Sequence, residues 1–118
     1  MGTILGKGTF RYEVQDGWAQ LPDGMAFKEV AGVGVDKDDN VYCFTRGEHP
    51  MIVFDKDGQF LGNWGEGVFT RAHGVTMGQD DTIFLTDDGD HTVRKCTLGG
   101  KVLMTLGIPG KPAAFQEG

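Results

Sequence analysis

Apolar residues in this chain come in short runs: Val41-Tyr42-Cys43-Phe44, Met51-Ile52-Val53-Phe54 and Ile83-Phe84-Leu85, with clusters of Gly, Asp and Asn between them. Runs of this length, rich in β-branched and aromatic residues and bounded by turn formers, predict strands. A helix would need an apolar stripe of period 3.6 over ten or more residues, and no segment has one. Other segments alternate. Phe10-Arg11-Tyr12-Glu13-Val14 reads as a strand with one wet face, and Gly17 through Phe27 reads as a connecting loop.

The pattern is written twice. Residues 31–65 slide onto residues 73–107 without a gap at an offset of 42, matching Gly32/Gly74, Val33/Val75, Asp38/Asp80, Asp39/Asp81, Gly47/Gly89, His49/His91, Gly58/Gly100, Leu61/Leu103 and Gly65/Gly107. Each copy predicts four short strands. In the first these are Gly32–Asp36, Val41–Thr45, Met51–Phe54 and Phe60–Trp64. In the second they are Gly74–Met77, Ile83–Thr86, Thr92–Cys96 and Lys101–Leu106. Units of about 40–45 residues built this way are β-propeller blades, which cannot bury their faces alone. The expected fold is therefore all-β, a partial β-propeller of two four-stranded antiparallel blades plus an N-terminal closing strand. It forms one partial domain over 1–118: strand and loop (1–30), first blade (31–65), second blade (73–107) and a linker to a missing blade (108–118). The second strand of each copy is apolar at consecutive positions, which predicts cover on both sides.

Composition narrows the function. The 118 residues include 20 glycines without a Gly-X-Y period, so collagen is excluded, and the net charge of −6 with scattered Lys and Arg argues against nucleic acid and anionic membranes as partners. No signal peptide and no long apolar span is apparent, so the expectation is a cytoplasmic protein. Cys43 and Cys96 match Leu85 and Phe54 in the repeat register, which predicts buried reduced thiols. The chain has no serine, excluding serine hydrolysis, and no phosphate-binding glycine motif.

Chemistry is sought where the copies differ. Antiparallel pairing puts the end of each second strand beside the start of the first, so Arg46, His73 and the Asp87–Asp90 loop fall on one face of the disc. The first strand is innermost. His73 stands at the channel mouth where the first copy has Ala31, making it a candidate metal ligand, or else a hydrogen-bonded loop histidine. Arg46 stands opposite Asp88; its planar fork suits capture of a carboxylate, or else pairs with Glu48 or with aspartates of the next blade. His49 and His91 recur in register and are expected to stabilise equivalent turns by local hydrogen bonds. Asp87 and Asp90 are expected to cap their loop rather than bind calcium.

The stretch from Val30 to Cys96 resembles tandem NHL repeats. More narrowly, Phe44-Thr45-Arg46-Gly47-Glu48-His49 and Ala72-His73-Gly74-Val75, at their separation, resemble the six-bladed peptidyl-α-hydroxyglycine α-amidating lyases. The resemblance covers about residues 8–112. It implies zinc held by three histidines, calcium held by backbone carbonyls and an aspartate, an assisting arginine and a tyrosine base. By motif position Arg46 is the catalytic arginine, His73 the first zinc ligand, and Val33 and Val75 supply carbonyls to calcium. The implied reaction splits a peptidyl-α-hydroxyglycine into a peptide amide and glyoxylate. The remaining histidines, the aspartate and the tyrosine fall in later blades. Tyr42, matched by Phe84, is a core position and does not replace that tyrosine. The expectation is then an N-terminal part, inactive alone, whose full-length parent takes a small-molecule or peptide substrate. The alternatives are a non-catalytic scaffold binding protein or ligand on the channel face, or self-association through exposed blade faces into a propeller of three copies.

Overall fold

The computed structural model describes residues 2–114, and the last four residues of the expected linker lie outside the described residues. Ten strands run in chain order: β1 (Ile4–Lys7), β2 (Phe10–Glu13), β3 (Val30–Val35), β4 (Val41–Thr45), β5 (Met51–Phe54), β6 (Phe60–Trp64), β7 (Ala72–Met77), β8 (Thr82–Asp87), β9 (Thr92–Thr97) and β10 (Val102–Leu106). They form a β1–β2 hairpin and two antiparallel sheets ordered β3-β4-β5-β6 and β7-β8-β9-β10. The architecture is all-β, two four-stranded sheets of a partial propeller.

The repeat reaches into the hairpin geometry. Asp36 N–H donates to the Asn40 carbonyl and Gly78 N–H to that of Thr82; Asp55 N–H donates to Gln59 and Thr97 N–H to Lys101. Each of these pairs is offset by 42. Asp39 and Asp81 both take positive φ, 63° and 56°, as short polar side chains can in tight turns.

The sheets meet through their innermost strands, β3 and β7. Gly32 and Gly34 make the approach possible, because a methyl on Gly34 would lie 2.6 Å from the Met77 sulfur and one on Gly32 3.1 Å from the Val75 backbone nitrogen. Between the sheets lies the main core of Tyr42, Phe44, Met51, Val53, Ala72, Ile83, Leu85 and Cys96. Phe69, from the connection between blades, stands edge-on to Phe44 at 4.8 Å. Burying each large apolar side chain contributes on the order of 1.5–3 kcal/mol, so this interface holds the blades together.

A second core cluster, Cys43, Ile52 and Phe54, lies on the other face of the first blade. Its cover is Trp18, Ala19, Leu21 and Met25, with the Phe27 ring also tilted against Phe54 at 5.8 Å. Residues 17–27 are thus not a bare connecting loop but the lid of the first blade. The expectation of two-sided cover holds for β4 and fails for β8. There Ile83, Leu85 and Asp87 face the first blade and are buried, whereas Phe84 and Thr86 on the outer face are only partly covered. Both cysteines are buried free thiols. Burial pushes the Cys43 thiol up to about 11 and raises that of Cys96 against the opposing pull of Arg94.

The N-terminal expectation needs correcting. Phe10–Glu13 is not a lone strand: it pairs with Ile4–Lys7 in a hairpin whose every residue is exposed. The alternation of Phe10 through Val14 marked one strand, but glycines at positions 2, 6 and 8 hid its partner. The N-terminal lid also repeats a later feature. Trp18 Nε1 donates to the Lys56 carbonyl at 3.2 Å, and Trp64 Nε1 donates to the Leu98 carbonyl at 3.1 Å. Lys56 and Leu98 are register partners, so Trp18 does for the first blade what Trp64, at the end of the first blade's outer strand, does for the second. The same two tryptophans explain Gly58 and Gly100, whose φ are 81° and 102°: a Cβ on Gly58 would collide with the Trp18 backbone carbonyl, and one on Gly100 with the Trp64 indole.

Candidate functional site

Both inner strands carry a β-bulge at the same place. In β3 Val30 pairs with Thr45 and Gly32 with Phe44, leaving Ala31 as the extra residue. In β7 Ala72 pairs with Asp87 and Gly74 with Thr86, leaving His73. A bulge re-aims the side chain it carries. The one inner-strand position that reads Ala in one copy and His in the other is therefore the position freed from the sheet's alternation. Spacing alone does not reveal bulges, so this was not legible in the sequence.

Arg46 and His73 are brought together. With Glu29, Val30 and Ala31 they line an open cavity of about 340 Å³ at the rim of the inner strands. Arg46 Nε donates to the Ala72 carbonyl at 2.9 Å, and its Nη1 lies 3.3 Å from Glu29 Oε2. The guanidinium thus ties the first blade to the strand carrying His73. Its partners are Glu29 and a backbone carbonyl, not Glu48 or an aspartate of the next blade. His73 is 59% exposed, its Nδ1 3.5 Å from Asp88 Oδ2, while Asp88 Oδ1 lies 3.5 Å from Arg71 Nε.

The repeat register gives these contacts a pattern. Glu29 corresponds to Arg71 and Arg46 to Asp88, so the two blades hold the same ion pair with its charges reversed. Phe27 likewise corresponds to Phe69, so the repeat begins at Phe27, ahead of residue 31. The Arg46/Asp88 difference therefore has a structural account, which shows only when the register is carried upstream of residue 31.

Asp87 is fully buried and accepts four backbone N–H groups. Thr70 donates to Oδ2 at 2.7 Å; Arg71, Gly89 and Asp90 donate to Oδ1 at 3.0, 3.1 and 2.9 Å. Its register partner Thr45 does a smaller version of this work, its hydroxyl accepting from Gly47 N–H and donating to the His49 carbonyl. Asp90 accepts from Arg94 Nη2 at 2.7 Å, and that charged hydrogen bond, outweighing burial, lowers its carboxyl below the ordinary value. Arg94 is itself buried, with its guanidinium 5.7 Å from the Phe69 ring centre. No sequence motif pointed to Arg94; only its place opposite Leu85 in β8 shows that it faces the core.

His49 and His91 do not behave alike. His91 takes a φ of 61°, whereas His49 is absent from the positive-φ residues and its Nδ1 lies 3.1 Å from Glu66 Oε1 in the connection between blades. Pro50 follows His49 and steers it to extended backbone; Thr92 places no such demand on His91. Val33 and Val75 hold one register position at the middle of the inner strands, opposite Cys43 and Leu85. At the other end of those strands Asp36 accepts from the Asn40 backbone and side chain, the Tyr42 hydroxyl and the Asp38 N–H. Burial would raise the Asp36 carboxyl, but these hydrogen bonds prevail and lower it. The Tyr42 phenol is pushed above its ordinary range by burial and by Asp36, so it is held as a protonated donor.

Zinc chemistry at the rim can be judged on donors. His73 is the imidazole in the cavity, and no three His, Cys, Asp or Glu side chains among the described residues are grouped so that they could hold a metal ion. The residues of this chain do not by themselves fit a three-histidine zinc site.

Two four-stranded antiparallel sheets, packed inner strand to inner strand and repeating every 42 residues, define part of a β-propeller. The chain is similar to NHL repeat-containing protein 3 of Homo sapiens, 32% identical over 110 residues that cover 85% of this chain and 31% of that protein. It is also similar to NHL repeat-containing protein 3 of Mus musculus, 35% identical over 80 residues that cover 60% and 23%. This homology supports an NHL-repeat family for the chain, which spans less than a third of the human relative's length. No protein-family model matches. No helix among the described residues is long and apolar enough to cross a membrane.

Proposed function

We propose that the chain forms two blades of an NHL-type propeller scaffold whose rim cavity takes a small molecule or peptide carrying a carboxylate. The observation that carries this reading is the convergence of Arg46 and His73 in one cavity, from different blades, at the bulged end of the inner strands. A guanidinium already anchored on one side offers a fixed cation, and an exposed imidazole beside it offers a second polar contact. A scaffold that binds without transforming its ligand needs nothing more from this chain.

The same convergence favours a second reading. In a completed propeller this rim would form part of a peptidyl-α-hydroxyglycine lyase site, with Arg46 and His73 in the roles their motifs imply and calcium near the Val33 and Val75 carbonyls. Zinc and calcium would be supplied sites only together with residues of further blades. Assembly of three identical two-blade chains into a ring is less favoured. Trp18 already makes on the first blade the indole contact that Trp64, from the outer strand of the preceding blade, makes on the second.

The test is titration of the isotopically labelled chain with an N-acylglycine and with its amide, followed by NMR. The proposal expects shifts confined to residues 29–31, Arg46 and His73 with the acid, and none with the amide. Shifts elsewhere, or equal shifts with both ligands, would refute it. For the second reading, glyoxylate release from an N-acyl-α-hydroxyglycine is measured on the longer protein that contains these blades, with His73→Ala expected to abolish it.

A further inference from the structure

We infer that Asp88 is a positioning residue: it holds the His73 imidazole with Nδ1 protonated and turned inward, so that Nε2 is presented as an acceptor to the Arg46 cavity. As a role at a ligand site this rests on the reading above; as a statement about the ring it stands alone. The two blades differ at both positions together. Where the bulge residue is Ala31 the facing loop residue is Arg46, and where it is His73 the loop residue is Asp88. An acceptor therefore appears only in the blade with a ring to orient.

Asp88 is well placed to act. Its backbone N–H donates to the Arg71 carbonyl at 3.2 Å, and it directly follows Asp87, whose carboxylate fixes the loop through four N–H groups. One of its oxygens lies 3.5 Å from His73 Nδ1 and the other 3.5 Å from Arg71 Nε. Arg71 thus contacts the carboxylate oxygen that His73 does not. A neutral imidazole carries one N–H, and a carboxylate facing Nδ1 draws that proton to Nδ1. Nε2 lies across the ring from Nδ1, and its lone pair is then left for whatever the cavity receives. Outer partners orient functional histidines in this way elsewhere.

The tautomer can be read without ligand, metal or turnover. In ¹⁵N-labelled chain held at one pH well above the imidazole range, long-range nitrogen–carbon-proton correlations distinguish the two forms, and His73→Gln assigns the resonance among the three histidines. The Nδ1–H form should dominate for His73 in the parent protein. In Asp88→Ala, and to a lesser degree in the isosteric Asp88→Asn, the majority should invert to Nε2–H, while His49 and His91 stay unchanged. If the parent already shows mainly Nε2–H, or if neither variant changes the ratio while both keep the parent spectrum elsewhere, the inference is wrong. If the tautomer behaves as stated but N-acylglycine leaves the rim unperturbed, the positioning stands and the ligand reading falls.

Discussion

Removing the Arg46 side chain should destabilise the protein by an amount set mainly by the blade it reaches, not by the acid it pairs with. Its Nε hydrogen bond to the Ala72 carbonyl is 2.9 Å long, and the side chain is only 25% exposed. A hydrogen bond to a charged group contributes about 1.5–3 kcal/mol, and partial exposure puts this one near the lower end. The Glu29 contact is longer, 3.3 Å, and Glu29 is largely exposed, so that pair contributes about 0–1 kcal/mol. Arg46→Ala should therefore cost about 2 kcal/mol, Glu29→Ala less than 1 kcal/mol, and the double variant little more than Arg46→Ala alone. Arg46→Lys keeps the charge but lacks the fork that serves both partners, and should fall between. Urea unfolding followed by tryptophan fluorescence reads this well, because Trp64 sits at the interface between the blades. If Glu29→Ala costs as much as Arg46→Ala, or Arg46→Ala costs under 0.5 kcal/mol, the side chain is not a clamp between blades.

Asp87→Asn keeps one acceptor oxygen for Arg71, Gly89 and Asp90 but turns an amide toward the Thr70 N–H, so it should cost about 2 kcal/mol, and Asp87→Ala clearly more, by the same unfolding assay. Gly58→Ala combines positive φ with a collision against the Trp18 carbonyl and should lower Tm strongly, whereas Gly67→Ala, with φ of 77° but open space, should cost only about 1–2 kcal/mol of backbone strain. Asp36 and Asp90 have folded-state values below the ordinary 3.8, so their stabilisation is complete above that value and is lost as pH falls through the depressed ones; acid unfolding should begin below about pH 4, and Arg94→Gln should flatten that limb. Cys43 is raised from 9.0 to about 11, so the folded state retains its proton more tightly and stability should decline as pH rises from 9 toward 11, while the native thiol should react with a disulfide reagent far more slowly at pH 7.5 than the unfolded one.

Much of the scaffold was legible because a gapless repeat states its own boundaries. β4, β5 and β6 run over the residues the apolar runs predict, and the shared Gly58/Gly100 and Asp39/Asp81 positions carry the positive φ that their residue types suggest. What stayed hidden depends on contacts between distant residues. A bulge leaves no mark in composition, so the freedom of His73 appeared only with the pairing of Ala72 and Gly74. The part of the lid before Phe27 lies upstream of the repeat and has no period of its own, yet its Trp18 packs with Phe27 on Phe54 to close the first blade. Nothing in the sequence marked Arg94 as inward-facing; its side of β9 is fixed by its pairing with Leu85. The shared histidines 49 and 91 misled in the other direction, since identity in register implied a shared conformation that Pro50 prevents.

The two copies fold as separate blades packed inner strand on inner strand, which is what puts Arg46 and His73 on one rim. Interproton contacts in the labelled chain test it most directly. Nuclear Overhauser effects should connect the Gly32 and Gly34 α-protons with the Val75 methyls, and Gly34 with the Met77 methyl, alongside cross-strand contacts of β3 with β4 and β7 with β8. Absence of the β3–β7 contacts, or α-proton contacts showing that β3 and β7 pair as neighbours in one continuous sheet, would contradict it.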